Sequence, residues 1–348
     1  MAERRSSPGL VAATLLAGLA VALVTNLLVG PSHVPAGHVL AILFDPSGTG
    51  ASAAFAPSEH TIVWSLRLPR SLLALVVGAG LGAGGAAAQG LFRNPLADPG
   101  LVGVASGATL GAAATIVLGG PLLASLAPWA RSAGLPIGAF VAGALTTAAV
   151  VKLGGRPGRA STATVLLAGV AINAFAGAVV GFLSHVASDS ELRNLTFWVL
   201  GGFSSASWTK LVFTAPLIGI ALLMLSRTAR GLDIFSMGEL DASLTGVDVL
   251  ALRRHVIVAL ALAVGASVAA AGLVGFVGLL VPHFTRMWVG PGHRALIPLS
   301  ALGGAALVVF ADGLARVLVA PAELPVGLLT ALVGAPFFLH LLRRELGT

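Results

Sequence analysis

The rarest reactive groups in this chain are acids set inside apolar sequence. Asp312 lies within the apolar run 295–319, and Arg316 follows it one helical turn later. An acid four residues before a base is the favourable order for a helical ion pair. The pair is read as structural in preference to a proton relay, the use that ion-driven carriers make of carboxylates at membrane depth. The other twelve of the 13 acidic residues fall in loops or near the ends of apolar runs. A phosphate loop GxxxxGK[ST] needs a lysine directly after glycine, so that ammonium and backbone amides hold the phosphates together. Lys152 and Lys210 are the only lysines, and neither follows a glycine. There is no cysteine, no HExxH zinc motif and no GxSxG nucleophile motif. These residues argue against a catalytic site and against an intrinsic ATP- or ion-driven engine.

Three further features carry polar chemistry. The run 163–186 is nearly apolar, with Asn173 inside it and His185 near its end. Imidazole is a common haem ligand, but an interfacial histidine bonded to water or backbone is the preferred reading of His185. His283 follows Pro282 and is read as structural. Segment 232–249 carries Asp233, Glu239, Asp241 and Asp248 amid basic surroundings, with Gly238 and Gly246 dividing it into short helices. It reads as an amphipathic docking helix for the partner that supplies the energy.

The elements that must position these groups follow from composition. Of 348 residues, 57% are hydrophobic and 9% charged, and the mean hydropathy is +0.98. Soluble domains carry about 25% charged residues, so lipid is the solvent. The net charge of +7 is scattered between apolar runs in ones and twos, which fits membrane topology rather than nucleic acid. A span needs roughly 20 apolar residues. Ten candidates result: 9–29, 68–91, 101–120, 135–153, 163–186, 209–226, 252–273, 276–289, 295–319 and 326–343. The first is read as a span rather than a signal peptide, because it lacks a small-residue cleavage site. The eighth is short and holds Pro282, so a broken or tilted helix is expected. Helices outside the bilayer are expected near 191–203 and at 232–249. GxxxG spacings at Gly78/Gly82, Gly80/Gly84 and Gly177/Gly181 predict close helix contacts.

With both termini cytoplasmic, 14 of the 20 basic residues fall on the inner side. Arg67, Arg70 and Arg316 are then outward exceptions that need a reason. The whole chain, 1–348, is expected to be one all-α polytopic membrane domain.

Longer motifs carry a resemblance. Arg67-Leu-Pro-Arg70, Gln89, Asn94-Pro-Leu-Ala-Asp-Pro-Gly100 and Ser106-Gly-Ala108 are followed by Gly275-Phe-Val-Gly-Leu-Leu-Val-Pro-His283, Gly292-His-Arg294 and Pro298-Leu-Ser300. Ala311-Asp312, Glu323-Leu-Pro-Val-Gly327 and Gly334-Ala-Pro-Phe337 complete the series. From about residue 60 onward the chain resembles the FecCD family of ABC-transporter permeases, type II importers of vitamin B12, iron–siderophores and haem. The resemblance implies ten helices per subunit and a homodimer with the pathway on its two-fold axis. It also implies two cytoplasmic ABC ATPase subunits, which bind the ATP and Mg, and a periplasmic substrate-binding protein. No cofactor belongs to the chain itself, and the inner membrane is its site.

Residue by residue, the resemblance assigns Arg67, Arg70 and Arg316 to docking of the binding protein, where a guanidinium fork suits a carboxylate. Asn94, Leu96, Thr162 and Ala163 match the cytoplasmic gate, with simple turn chemistry an equal reading at 94–96. Ser236, Gly238, Glu239, Ala242 and Gly246 match the ATPase-coupling region, although Thr245 departs from the usual leucine. Asn173 and His185 are possible substrate contacts. Haem and iron–siderophores are the leading cargoes, with cobalamin behind them. A self-sufficient ion-coupled transporter or channel for a small solute is the alternative.

Overall fold

The computed structural model describes residues 6–345 apart from 46, 48, 51, 53, 54, 126, 154–161 and 321, and among these there is no β-strand. The chain opens with α1 (Pro8–Leu28), capped by the Ser7 hydroxyl, and the short α2 (Ala36–Phe44). Next, α3 (Pro57–His60) runs through a π-helical turn, Thr61–Arg67, into α4 (Leu68–Phe92). A 3₁₀ turn, Pro99–Val102, leads into α5 (Val104–Leu118), and α6 (Gly120–Ala124) follows. The middle of the chain forms α7 (Pro128–Leu153), α8 (Thr162–Val186), α9 (Asp189–Leu200) and α10 (Trp208–Phe235). The remainder is α11 (Glu239–Leu244), α12 (Val249–Ala271), α13 (Val277–Val289), α14 (His293–Ala315) and α15 (Val326–Glu345).

Each of the ten predicted spans coincides with a helix, and seven helical stretches are long and apolar enough to cross a membrane. Two of the ten, α5 and α13, are shorter than predicted or than a full span. α5 covers 104–118 instead of 101–120, because Gly103 adopts φ +80° and interrupts the helix before Val104. α15, at 20 residues, runs two residues past its predicted end at 343. α13 has 13 residues, roughly 20 Å against a hydrocarbon core of about 30 Å. It is short as expected, but it continues unbroken through Pro282. Pro282 leaves the Gly278 carbonyl without its helical donor, and that carbonyl faces Gly85, where a Cβ would come within 1.8 Å.

The hub is α4, wrapped by α10, α12, α13 and α14. Its Gly78 and Gly82 meet the Gly304 and Ser300 carbonyls of α14 so closely that a Cβ would overlap them. Those GxxxG glycines let backbones touch where lipid offers no hydrophobic drive. α5, α7 and α8 form a second layer, joined to the hub through α12. α8 stays largely uncovered, and among the described residues nothing lies within 4 Å of where a Cβ would sit at Gly177 or Gly181.

Candidate functional site

The charged residues gather at two opposite ends of the bundle. At one end, α1 finishes, α14 finishes and α4 begins. Asp312 is fully buried there and accepts Arg70 Nε at 3.0 Å and Nη2 at 2.8 Å. Arg70 turns its other nitrogen to Glu323, at 2.9 and 3.0 Å. The Asp312–Arg316 pair predicted within one helix exists at 3.7 Å, but it is looser than the contact with Arg70. Arg316 donates mainly to Asn26, through its carbonyl at 2.7 Å and its amide oxygen. Arg67 donates to the carbonyls of Leu27 (2.7 Å), Leu28 (3.1 Å) and Ser32. These are carbonyls at and just beyond the end of α1, where helical acceptors lack donors.

The structure therefore brings Arg67, Arg70 and Arg316 together with their donors turned inward. Arg67 and Arg316 are 4% and 3% exposed. Arg70 is the one that reaches a half-exposed partner, Glu323. Asn26, which ties α1 to Asp312 and Arg316, was missed by sequence reasoning. A lone buried asparagine in an apolar run was the available signal.

At the other end, segment 232–249 is not one docking helix. Leu232 and Phe235 are fully buried and prolong α10 past the predicted end at 226. The helix that stands apart is the six-residue α11, isolated by Gly238 (φ +147°) and Gly246 (φ +85°) as the two glycines predicted. Ser236 donates to the Asp233 carbonyl at 2.6 Å, and Ala242 is fully buried against the bundle. Glu239 accepts Arg253 Nη2 at 2.6 Å. Arg253 and Arg93 both lie over the Phe235 ring, 5.7 and 5.5 Å from its centre. Asp233 accepts the His293 N–H and contacts its Nδ1, both at 2.7 Å, which fastens α10 to α14. This bracing leaves Met237, Leu240 and Leu244 facing outward, 75%, 72% and 77% exposed. Leu240 and Leu244 stand one turn apart on α11, an i, i+4 spacing legible in sequence, but the sequence reading singled out their polar neighbours.

At the α11 end the candidate gate is partly visible, because Arg93, the C-cap of α4, lies there over Phe235. α4 closes on Arg93 in the left-handed region, and the Asn94 side chain accepts the Leu96 N–H at 2.9 Å. That is an Asx turn, which shapes the loop at 94–96. Thr162 and Ala163 open α8, but their side chains lie outside the described residues. Next to this loop, burial pushes the Asp98 carboxyl up, against the Gly100 N–H it accepts at 2.7 Å. Asn173 contacts the Ser106 hydroxyl at 2.5 Å and lines a cavity of about 360 Å³ with Thr109 and Gly177. His185 is exposed at the end of α8, twelve residues on, or roughly 18 Å along the helix. The two predicted substrate contacts do not share one site.

A helical membrane bundle with such ends has known counterparts. The family model of the FecCD transport family matches residues 18–344. The chain belongs to the FecCD family. The chain is 44% identical over 284 residues to the hemin transport system permease protein HmuU of Yersinia pestis, covering 81% of this chain and 84% of that one. It is 43% identical over 286 residues to the cobalamin import system permease protein BtuC of Halobacterium salinarum, covering 82% and 74%. A solved structure described as an inward-facing conformation of a metal-chelate type ABC transporter superposes with a TM-score of 0.82 at 31% identity, over 97% of this chain and 100% of that one. The FecCD chain thus has the type II ABC importer permease fold, as the motif resemblance implied. In this FecCD chain the RLPR arginines are the start of the central helix α4, and the Ala311-Asp312 motif is the acid that holds the second of them.

Proposed function

We propose that the chain is the transmembrane permease subunit of an ATP-binding-cassette importer for a metal chelate. It works as a homodimer with two cytoplasmic ATPase subunits, which hold ATP and Mg, and takes cargo from a periplasmic binding protein. The carrying observation is the exposed apolar pair Leu240 and Leu244 on a helix braced from behind, with Met237 exposed in the turn just before it. An exposed patch of this kind marks a protein interface. Relatives named as hemin and cobalamin permeases support the same reading. The uncovered face of α8, with Val170, Gly177 and Gly181 in line, supports pairing with a second copy around the conduit. The cargo we propose is of tetrapyrrole size, haem or cobalamin, with iron–siderophores behind; the two relatives stand at nearly equal identity. Asn94 and Leu96 with Thr162 and Ala163 form the inner gate, and both termini are cytoplasmic.

Docking of the binding protein centres on Arg70, the guanidinium whose partner Glu323 is half-exposed, while Arg67 and Arg316 hold the surface under it. Proteoliposomes holding the chain, its ATPase and its binding protein should take up haem or cobalamin only with ATP. Uphill uptake by the chain alone, driven by a proton gradient, would overturn the reading. Arg70→Gln should weaken binding-protein capture at least ten-fold, and unchanged capture would remove the docking assignment while leaving the transport class intact.

A further inference from the structure

Away from the conduit, α7, α10 and α12 part to leave a groove of about 680 Å³, a volume typical of ligand sites. Its walls are apolar, with Ile137 and Phe140 from α7 and Phe213 and Leu217 from α10. Pro136 and Pro216 sit inside those two helices and line the same groove. A helix-interior proline bends its helix, which opens space between the two. One cation enters the groove. The Lys210 ammonium donates to Ser205 Oγ at 2.7 Å, and no carboxylate among the described residues lies within ion-pair reach. A charge held against an apolar wall with only a hydroxyl for company is costly until a counter-charge arrives.

The depth of the groove in the membrane is marked independently. Trp208 Nε1 donates to the Trp64 carbonyl at 3.0 Å, and the two rings lie 5.4 Å apart. Tryptophans collect at the membrane–water boundary, where the ring body is apolar and the N–H stays polar. Lys210 follows Trp208 by two residues and so sits at headgroup level. Leu217 lies about 10 Å deeper along α10, among acyl chains. Ile137 and Phe213 are 56% and 57% exposed, so the groove opens sideways toward lipid.

We propose that this groove holds one anionic phospholipid, its phosphate on Lys210 with the Ser205 and Thr209 hydroxyls, and an acyl chain running along Phe213 and Leu217. An apolar trough at acyl depth beneath a single unmatched cation at headgroup depth is the complement of such a molecule and of no soluble anion. The site lies at the same end as Arg70 and Glu323, which share Ser205 as a neighbour in the adjoining cavity. It would thus set α10 and α12 against the outer surface.

The full chain, delipidated in detergent, is titrated with dioleoylphosphatidylglycerol or dioleoylphosphatidylcholine and read by native mass spectrometry. One phosphatidylglycerol per chain, bound at least ten-fold more tightly than phosphatidylcholine, is expected. Lys210→Gln should bring the two lipids within about two-fold of each other. Ile137→Trp fills the mouth from its exposed side and should weaken both; identical size-exclusion profiles establish that the variants fold. Equal affinities in the unaltered protein, or a preference that survives Lys210→Gln, would overturn the proposal. So would displacement of the lipid by millimolar inorganic phosphate, which would assign the cation to a free anion. The chain has no cysteine, so Phe213→Cys gives a clean probe of the remaining occupant. Oxidative cross-linking of two chains at that position would mean that a second copy fills the groove.

Discussion

At the Asp312 end of the bundle, three arginines direct their donors at two carboxylates and at carbonyls from the end of α1, and the guanidiniums are almost entirely buried. At the α11 end, the charges Glu239, Arg253, Asp233 and His293 also pair with one another. Here, however, they pair behind a helix whose apolar residues are left outside. The first end uses charge to fix helices to each other, and the second uses charge to hold up an unfilled apolar surface. Where ionic groups are buried, their main leverage is over the fold; where apolar groups are exposed, their leverage is over a partner.

That contrast breaks most visibly at Asp312. Asp312→Ala leaves Arg70 and Arg316 without their shared buried counter-charge. Removing one partner of a buried pair costs about 3–5 kcal/mol. Thermal unfolding in detergent should fall sharply, and an unchanged midpoint would mean that the network adds nothing to the fold. The opposite end should behave in the opposite way. Leu240→Asp with Leu244→Asp alters two exposed residues, so the unfolding midpoint should hold. Capture of the ATPase should weaken about 100-fold, or about 2.7 kcal/mol, in a pull-down titration. A variant that unfolds instead would erase the distinction between the two ends.

A smaller effect sharpens the comparison. Glu239→Gln removes a half-exposed partner of Arg253, which keeps Phe235 beneath it, so stability should drop by no more than about 1 kcal/mol. ATP-dependent uptake should suffer more than stability, because the charge braces α11. The smallest effect belongs to the loop after α2. Hydrogen bonds from the Ser52 backbone and hydroxyl, with help from Gly50, hold the Asp45 carboxyl down to about 2. Its folded value lies below the ordinary one of 3.8. The contribution is therefore present above that value and fades as pH falls toward 2. Amide exchange at Gly50 and Ser52 should quicken across that window while the helices stay protected, and Asp45→Asn should abolish the change.

The seven full-length spans were legible because lipid imposes a local rule: backbone polar groups must be satisfied within a helix of about 20 apolar residues. α9, expected near 191–203, runs Asp189–Leu200; its start is set by a capping box of Ser188 and Glu191, a pattern the sequence carried but the reading did not use. The short α2 and α3 and the π-helical turn before Arg67 carry no comparable period, and they were missed. Segment 232–249 was bounded wrongly at its start, because Leu232 and Phe235 look amphipathic in sequence yet fill the core beneath Arg93 and Arg253.

By itself the sequence determined that this chain lives in lipid, roughly where its helices cross, that α11 would stand apart between two glycines, and, through its motifs, which family it joins. Those properties depend on composition and on neighbours a few residues away. Tertiary structure alone decided that Asp312 prefers Arg70 to Arg316, that Asn26 closes the network, and that the apolar pair on α11 stays bare. Asp312 and Arg70 are 242 positions apart, and their pairing exists only because α4 and α14 approach glycine to glycine. Periodicity cannot encode a contact between distant helices, since it states which face a residue occupies and not what that face will meet.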